Sequence, residues 1–272
     1  MNTACRISFQ QQKPSTNLST IVEEFTFREI VFDSHGTVKK DMPCRHVNSI
    51  DFFLAGQYTT FDLGAQETLP FVRSTIRGPR TYRKYSIEIG ENFICFSIRF
   101  KPTGIFKLLG IPMQEFSDQA IDAMQVMPEF FGKLTDKLLS CNDLKTCVAA
   151  AEPILTHQLR KDNSASPHIA TLIGLIQSNQ ASHRLSDLYK EIPLSSRHLE
   201  RNFIKEVGVS PKTYNSLIRF ENVMRAKKSH PEEKWSSIAY DLNYFDQMHL
   251  VKDFKKFLGM KPTEFQPNNF AL

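Results

Sequence analysis

The chain has 272 residues, 41% hydrophobic and 23% charged, enough for two globular domains that each bury a core. Its net charge of +5 is uneven: fifteen Lys and Arg against eleven Asp and Glu lie from Ser164 onward, so the basic surplus falls in the C-terminal part. No apolar run approaches the ~20 residues of a membrane span. The first residues lack the apolar segment of a secretory signal, and the five scattered cysteines form no C-x-x-C pair, which points to a reducing cytoplasm and away from disulfide or zinc frameworks.

The first hundred residues read as short strands. Residues 25–32, 46–54 and 57–61 are β-branched or aromatic runs, and 85–89 alternates with period two. Gly90-Glu91-Asn92 then offers a turn, and 93–100 returns with Ile94, Phe96, Ile98 and Phe100 on one face, which predicts a hairpin. Short strands between turn signals predict a small β-barrel or sandwich, with Phe52, Phe53, Tyr58, Phe61, Phe93 and Phe96 filling its core or lining a pocket. Arg77, Arg80, Arg83 and Lys84 form a basic cluster, read as a solvated edge or, alternatively, as a site for an anionic effector.

From Pro102 the period changes. Residues 105–109 predict a short helix stopped by Gly110, and longer helices are expected at about 128–139 and 143–158, the second kinked or divided at Pro153. His35 and His46 stand too far apart for a paired metal site, and neither G-x-S-x-G nor a phosphate loop occurs. No enzymatic activity, metal or cofactor is therefore expected. Residues 161–167 are polar, without apolar period, and read as a linker between a domain at 1–160 and one at 168–267.

The C-terminal part repeats itself at an offset of 51 positions. His198-Leu199 recurs as His249-Leu250, Phe203 as Phe254, Lys205 as Lys256, Gly208 as Gly259 and Pro211 as Pro262, with Phe265 in the place of Tyr214. Each copy is a helix closed by Gly and followed by Pro, preceded by a shorter apolar helix and a tight turn: Leu185, Leu188 and Ile192 in the first, Ile238, Ala239 and Leu242 in the second. Two amphipathic helices joined by a short turn form a helix-turn-helix unit, whose second helix can enter a major groove.

Leu199, Phe203, Leu250 and Phe254 must pack inward, which leaves Ser196, Arg197, Glu200, Arg201 and Ile204 outward in one copy and Gln247, Met248, Val251, Lys252 and Lys255 in the other. Arginines suit guanine, Gln247 adenine, and Glu200 can accept from cytosine. Base reading is therefore assigned to Arg197, Glu200, Arg201, Gln247, Met248, Val251 and Lys252, and phosphate contact to Ser196, Lys205, Lys255 and Lys256. The competing reading is a protein–protein interaction module whose repeat docks a partner and whose basic faces are ordinary solvated surface.

Residues 168–267 resemble the DNA-binding domain of the AraC/XylS family of bacterial transcription regulators, above all in the run Ile238-Ala239-Tyr240-Asp241-Leu242 and on through Gly259-Met260-Lys261-Pro262. Asn243 stands where the family usually has Gly, Phe245 replaces a usual Ser and Met248 a usual small residue, changes that touch the turn and the reading face. The resemblance implies an all-α domain of seven helices. A long helix from Pro211 to about Lys228 would join the two units and hold both reading helices in successive major grooves. Gly78-Pro79-Arg80-Thr81 and 100–112 are similar to the N-terminal domain of many such regulators, which implies a cupin-like barrel that senses a ligand or mediates dimerisation. The expected architecture is thus α+β in two domains, and the expected protein a one-component regulator. Its expected partner is double-stranded promoter DNA, with RNA polymerase, a small-molecule effector and a second copy of the chain as further candidates.

Overall fold

The computed structural model describes residues 5–33, 36–159, 165–178, 185–242 and 244–270. His35, Asn243 and residues 161–164 of the expected linker lie outside them.

Among the described residues, ten strands in antiparallel pairs build two sheets. The larger holds six, in the order β1 (Cys5–Gln12), β2 (Val22–Phe32), β9 (Phe93–Phe100), β4 (Asn48–Ala55), β7 (Ser74–Arg77) and β10 (Ala120–Asp122). The smaller holds β3 (Val38–Asp41), β8 (Tyr85–Ile89), β5 (Tyr58–Asp62) and β6 (Glu67–Leu69), in that order. The expected hairpin at 85–100 is therefore corrected. Both strands form, but β8 pairs with β3 and β5 while β9 pairs with β2 and β4, so the turn at 90–92 is a corner between sheets. The reason is packing: β9 carries a full apolar face that a two-stranded ribbon would leave wet.

That face does not point into the barrel. Phe96, Ile98 and Phe100 join Phe25, Ile50, Phe52 and Ile76 in a core closed from outside by α1 (Gly104–Leu109), the one-turn α2 (Ala123–Val126), α3 (Pro128–Leu138) and α4 (Leu144–Leu159). By strand alternation the opposite face turns inward, and there Thr26, Arg28, Ser49, Asp51, Cys95, Ser97 and Arg99 line the space between the sheets. Val47, Phe53, Ile87, Ile89 and Phe93 share that space, so the barrel interior is mixed, with charged groups beside apolar ones. Of the aromatic candidates, Phe52 and Phe96 serve that outer core, Phe53, Tyr58 and Phe93 cluster at one end between the sheets, and Phe61 is half-buried. Pro153 does not divide α4, which runs as one helix from 144 to 159.

Two cores share one rod in the C-terminal part. Helix α8 (Pro211–Ser229) sends Tyr214 and Ile218 into a first core with α5 (Pro167–Ser178), α6 (Leu185–Lys190) and α7 (Ser196–Val207). It sends Leu217, Phe220, Val223 and Met224 into a second, with α9 (Trp235–Asp241) and α10 (Gln247–Leu258). The repeat is visible in the packing. Phe203 meets Tyr214 at 5.5 Å between ring centres, and Phe254 meets Phe265 at 5.6 Å. After Gly259 come two short 3-10 turns, Pro262–Glu264 and Pro267–Asn269, so six α-helices, not the expected seven, are present among the described residues from Pro167 on. Gly208 and Gly259 both end their helices with positive φ, 99° and 69°, as the Gly-then-Pro signal requires. At Gly208 there is a second demand, since a Cβ there would come within 2.7 Å of Ser117 Oγ in the N-terminal part.

Candidate nucleic-acid interface

Each reading helix starts on a side-chain cap, again 51 positions apart. The Ser195 hydroxyl accepts from the His198 amide, and the Asp246 carboxylate from the His249 amide at 2.7 Å. Leu199, Phe203, Leu250 and Phe254 are fully buried. On the opposite faces Ser196, Arg197, Glu200, Arg201 and Lys205 of α7 are exposed, as are Gln247, Met248, Lys252, Lys255 and Lys256 of α10, while Val251 and Ile204 are half-buried. Neither face is covered by the other described residues. Tyr189 donates to Glu200 at 3.4 Å, and the Lys205 ammonium sits 5.5 Å over the Phe106 ring of the N-terminal part.

The second unit has a polar anchor that sequence reasoning did not find. Buried Asp253 accepts from Tyr244 at 2.9 Å and from Arg219 of α8 at 3.3 Å, and the Arg219 guanidinium lies 4.5 Å over the Tyr244 ring. This fixes the turn and α10 to the rod. The repeat gives no sign of it, because Pro193 and Asn202 occupy the matching positions of the first unit. An acid on the buried face of α10 was the available clue.

The N-terminal part grips the same rod. Cys44 is buried inside the second helical core, and the His46 amide and His46 Nδ1 both lie 2.6 Å from Glu221 Oε1 of α8. Arg83 donates its amide to the Phe257 carbonyl at 2.8 Å, Asp41 forms a bridge with Phe270, and Ser117 Oγ donates to the Gly208 carbonyl at 2.6 Å. Burial alone would raise the Glu221 carboxyl. The hydrogen bonds and charge of His46, with Arg45, outweigh it and hold the group below the usual carboxylate value. A depressed carboxyl contributes stability above its unfolded pKa of about 4.3 and loses it as pH falls through the folded value. The seam between the two parts should therefore be intact at neutral pH and loosen only below about pH 4. Amide exchange at His46, followed against pH, checks this.

The basic cluster of β7 and the segment after it is not a solvated edge, which corrects that expectation. Arg77 and Arg80 are buried: Arg77 lies 2.8 Å from Asp51, and Arg80 donates to the Pro43 carbonyl at 2.9 Å. Arg83 pairs with Asp41 at 2.7 Å and Lys84 with Asp62 at 3.8 Å. Burial, with Arg45 and Arg77 adding to it, brings the Arg80 guanidinium down to about 9, still charged at neutral pH.

Between the barrel mouth and α8 lies a cavity of about 630 Å³. Arg28, Lys40, Arg45, Arg99, Arg225 and Lys228 surround it, and Glu221 is the one carboxylate among its lining residues. Ile30, Ile87, Ile89, Met224 and Phe270 supply apolar wall. It shares Arg28, Arg45 and Arg99 with the smaller space inside the barrel.

Comparison with known proteins finds two separate stretches of likeness. Residues 188–268 match a helix-turn-helix domain family, and residues 10–122 match a domain of unknown function (DUF6597). The Msm operon regulatory protein of Streptococcus mutans is 25% identical over 134 residues, 48% of each chain. The HTH-type transcriptional regulator YidL of Escherichia coli is 30% identical over 100 residues, 37% of this chain and 32% of that protein. The chain thus spans less than half the length of either curated relative. The crystal structure of ToxT from Vibrio cholerae aligns over 98% of this chain and 99% of its own, at 11% identity and a TM-score of 0.47.

Proposed function

We propose, for a chain whose C-terminal part is an AraC-type helix-turn-helix domain, that it regulates transcription by gripping promoter DNA with α7 and α10 together. The observation that carries this reading is the pair of exposed, similarly capped helices braced on a single rod. Arg197, Glu200, Arg201, Gln247, Met248, Val251 and Lys252 read bases; Ser196, Lys205, Lys255 and Lys256 hold phosphates. Salt titration of binding to a promoter duplex tests it. Phosphate neutralisation makes log K fall linearly with log salt, by about 0.9 per phosphate contacted, whereas a helical repeat that docks a protein leaves DNA binding absent or flat with salt. Arg201→Ala should cost roughly 1–3 kcal/mol at one base position, and Lys255→Ala should weaken all sequences alike and lower the salt slope by about 0.9.

The N-terminal part, up to the linker at 161–167, acts in this reading as the regulatory domain, and the cavity at the seam is where an effector acts. Six cations facing apolar wall fit an anion with an apolar body. Because Met224, Arg225 and Lys228 of the rod belong to the same wall, such a ligand touches the element that sets the two reading helices. A ligand that favours one arrangement of the seam shifts the population that binds DNA. The fluorescent anion 8-anilinonaphthalene-1-sulfonate is a suitable probe: its binding should weaken in Arg28→Ala and Lys228→Ala, and equal binding by both variants would remove the cavity from the reading.

A further inference from the structure

The two reading faces differ in a way that the repeat makes measurable. At the offset of 51, Arg197 corresponds to Met248, Glu200 to Val251 and Arg201 to Lys252. The first unit puts a guanidinium and a carboxylate at positions where the second puts two apolar side chains. Just ahead of the caps, Leu194 of the first unit is half-buried against its core, whereas its counterpart Phe245 is 94% exposed. Met248, in the first turn of α10, is 62% exposed. These side chains stand in water at the end of the helix that leads into a groove.

The charges around them select the partner. Lys252, Lys255 and Lys256 are exposed along α10, Asp253 is buried against Arg219, and Asp246 is committed to its cap. The surface is apolar at its tip and cationic behind it, which suits a polyanion presenting methyl groups. In the major groove only thymine offers one, its C5-methyl, and an A·T pair adds the N6 and N7 edge of adenine that Gln247 can match.

We infer that the second unit reads an A·T-rich half-site in which Met248 and Val251, with Phe245 beside them, pack on thymine methyl groups, while the first unit reads G·C pairs through Arg197, Glu200 and Arg201. The inference rests on the DNA-binding reading above. It makes the target an unlike pair of half-sites, so one chain binds in one orientation.

The test begins with duplexes selected by the full chain from a random pool. Each thymine is then replaced by deoxyuridine, which pairs identically and lacks only the methyl. Replacement in the α10 half-site should weaken binding about fourfold per contacted methyl, and replacement in the other half-site should leave it unchanged. Met248→Ala should abolish the discrimination at its methyl and Met248→Leu keep it, whereas Arg197→Ala should lower affinity with the discrimination intact. Equal affinity for thymine and deoxyuridine duplexes, or unchanged discrimination in Met248→Ala, overturns the inference and leaves DNA binding standing; a protein partner on this tip gives the first of these results. If the chain selects no duplex at all, the DNA-binding reading fails and this inference with it.

Discussion

Phe254→Ala should cost the second helical unit about 3–5 kcal/mol, the range for removing a large aromatic side chain from a closed core. Phe254 is fully buried among rings of three different elements, with Phe220 at 4.9 Å, Trp235 at 5.0 Å and Phe265 at 5.6 Å. A domain holds only about 5–15 kcal/mol in all, so a loss of this size removes a large share of the unit's stability. Denaturant unfolding followed through Trp235 fluorescence reports on this unit directly, since Trp235 is the chain's only tryptophan. The midpoint should fall sharply, and DNA contacts of α10 should vanish before those of α7. The matching substitution Phe203→Ala should reverse that order. Equal effects of both on both half-sites would mean that the two cores do not stand apart.

The second large effect is expected at the seam. Glu221→Ala removes an acceptor that takes two hydrogen bonds at 2.6 Å from His46 and leaves those donors facing an apolar methyl group. Hydrogen bonds to a charged group are worth about 1.5–3 kcal/mol each, so a loss of about 3 kcal/mol in docking is expected. The reading faces are untouched by this change. The salt slope of DNA binding should stay as in the parent chain, while amide protection at His46 collapses and the seam anion no longer alters DNA binding. A lowered salt slope would instead make Glu221 part of the DNA-binding architecture.

How far the sequence carries depends on the range of the interactions. Caps, closing glycines, following prolines and 3.6-residue periodicity are local signals, which is why α8 was legible to within a residue at each end and the closing glycines of α7 and α10 were placed. Strands announce themselves locally but choose partners globally. The run at 93–100 was visible, yet its partners on β2 and β4 were not, and a turn compatible with a hairpin proved to be a sheet corner. β1 escaped although Cys5, Ile7 and Phe9 alternate with polar residues, because the run is short, ends in three glutamines and lies exposed on a sheet edge. The seam was out of reach altogether: His46 and Glu221 are 175 positions apart, and neither is unusual where it stands in the chain. The arginines show the same limit. A cluster in sequence looks like surface until the strand register turns Arg77 toward Asp51.

The most direct test of two reading helices working from one rod is spacing. On a duplex selected by the full chain, hydroxyl-radical footprinting should show two protected windows on one face, about one helical turn or roughly 34 Å apart. Inserting five base pairs between them should turn the second groove to the far side and reduce affinity to that of a single half-site. Full affinity retained after the insertion would contradict a rigid pairing of α7 and α10.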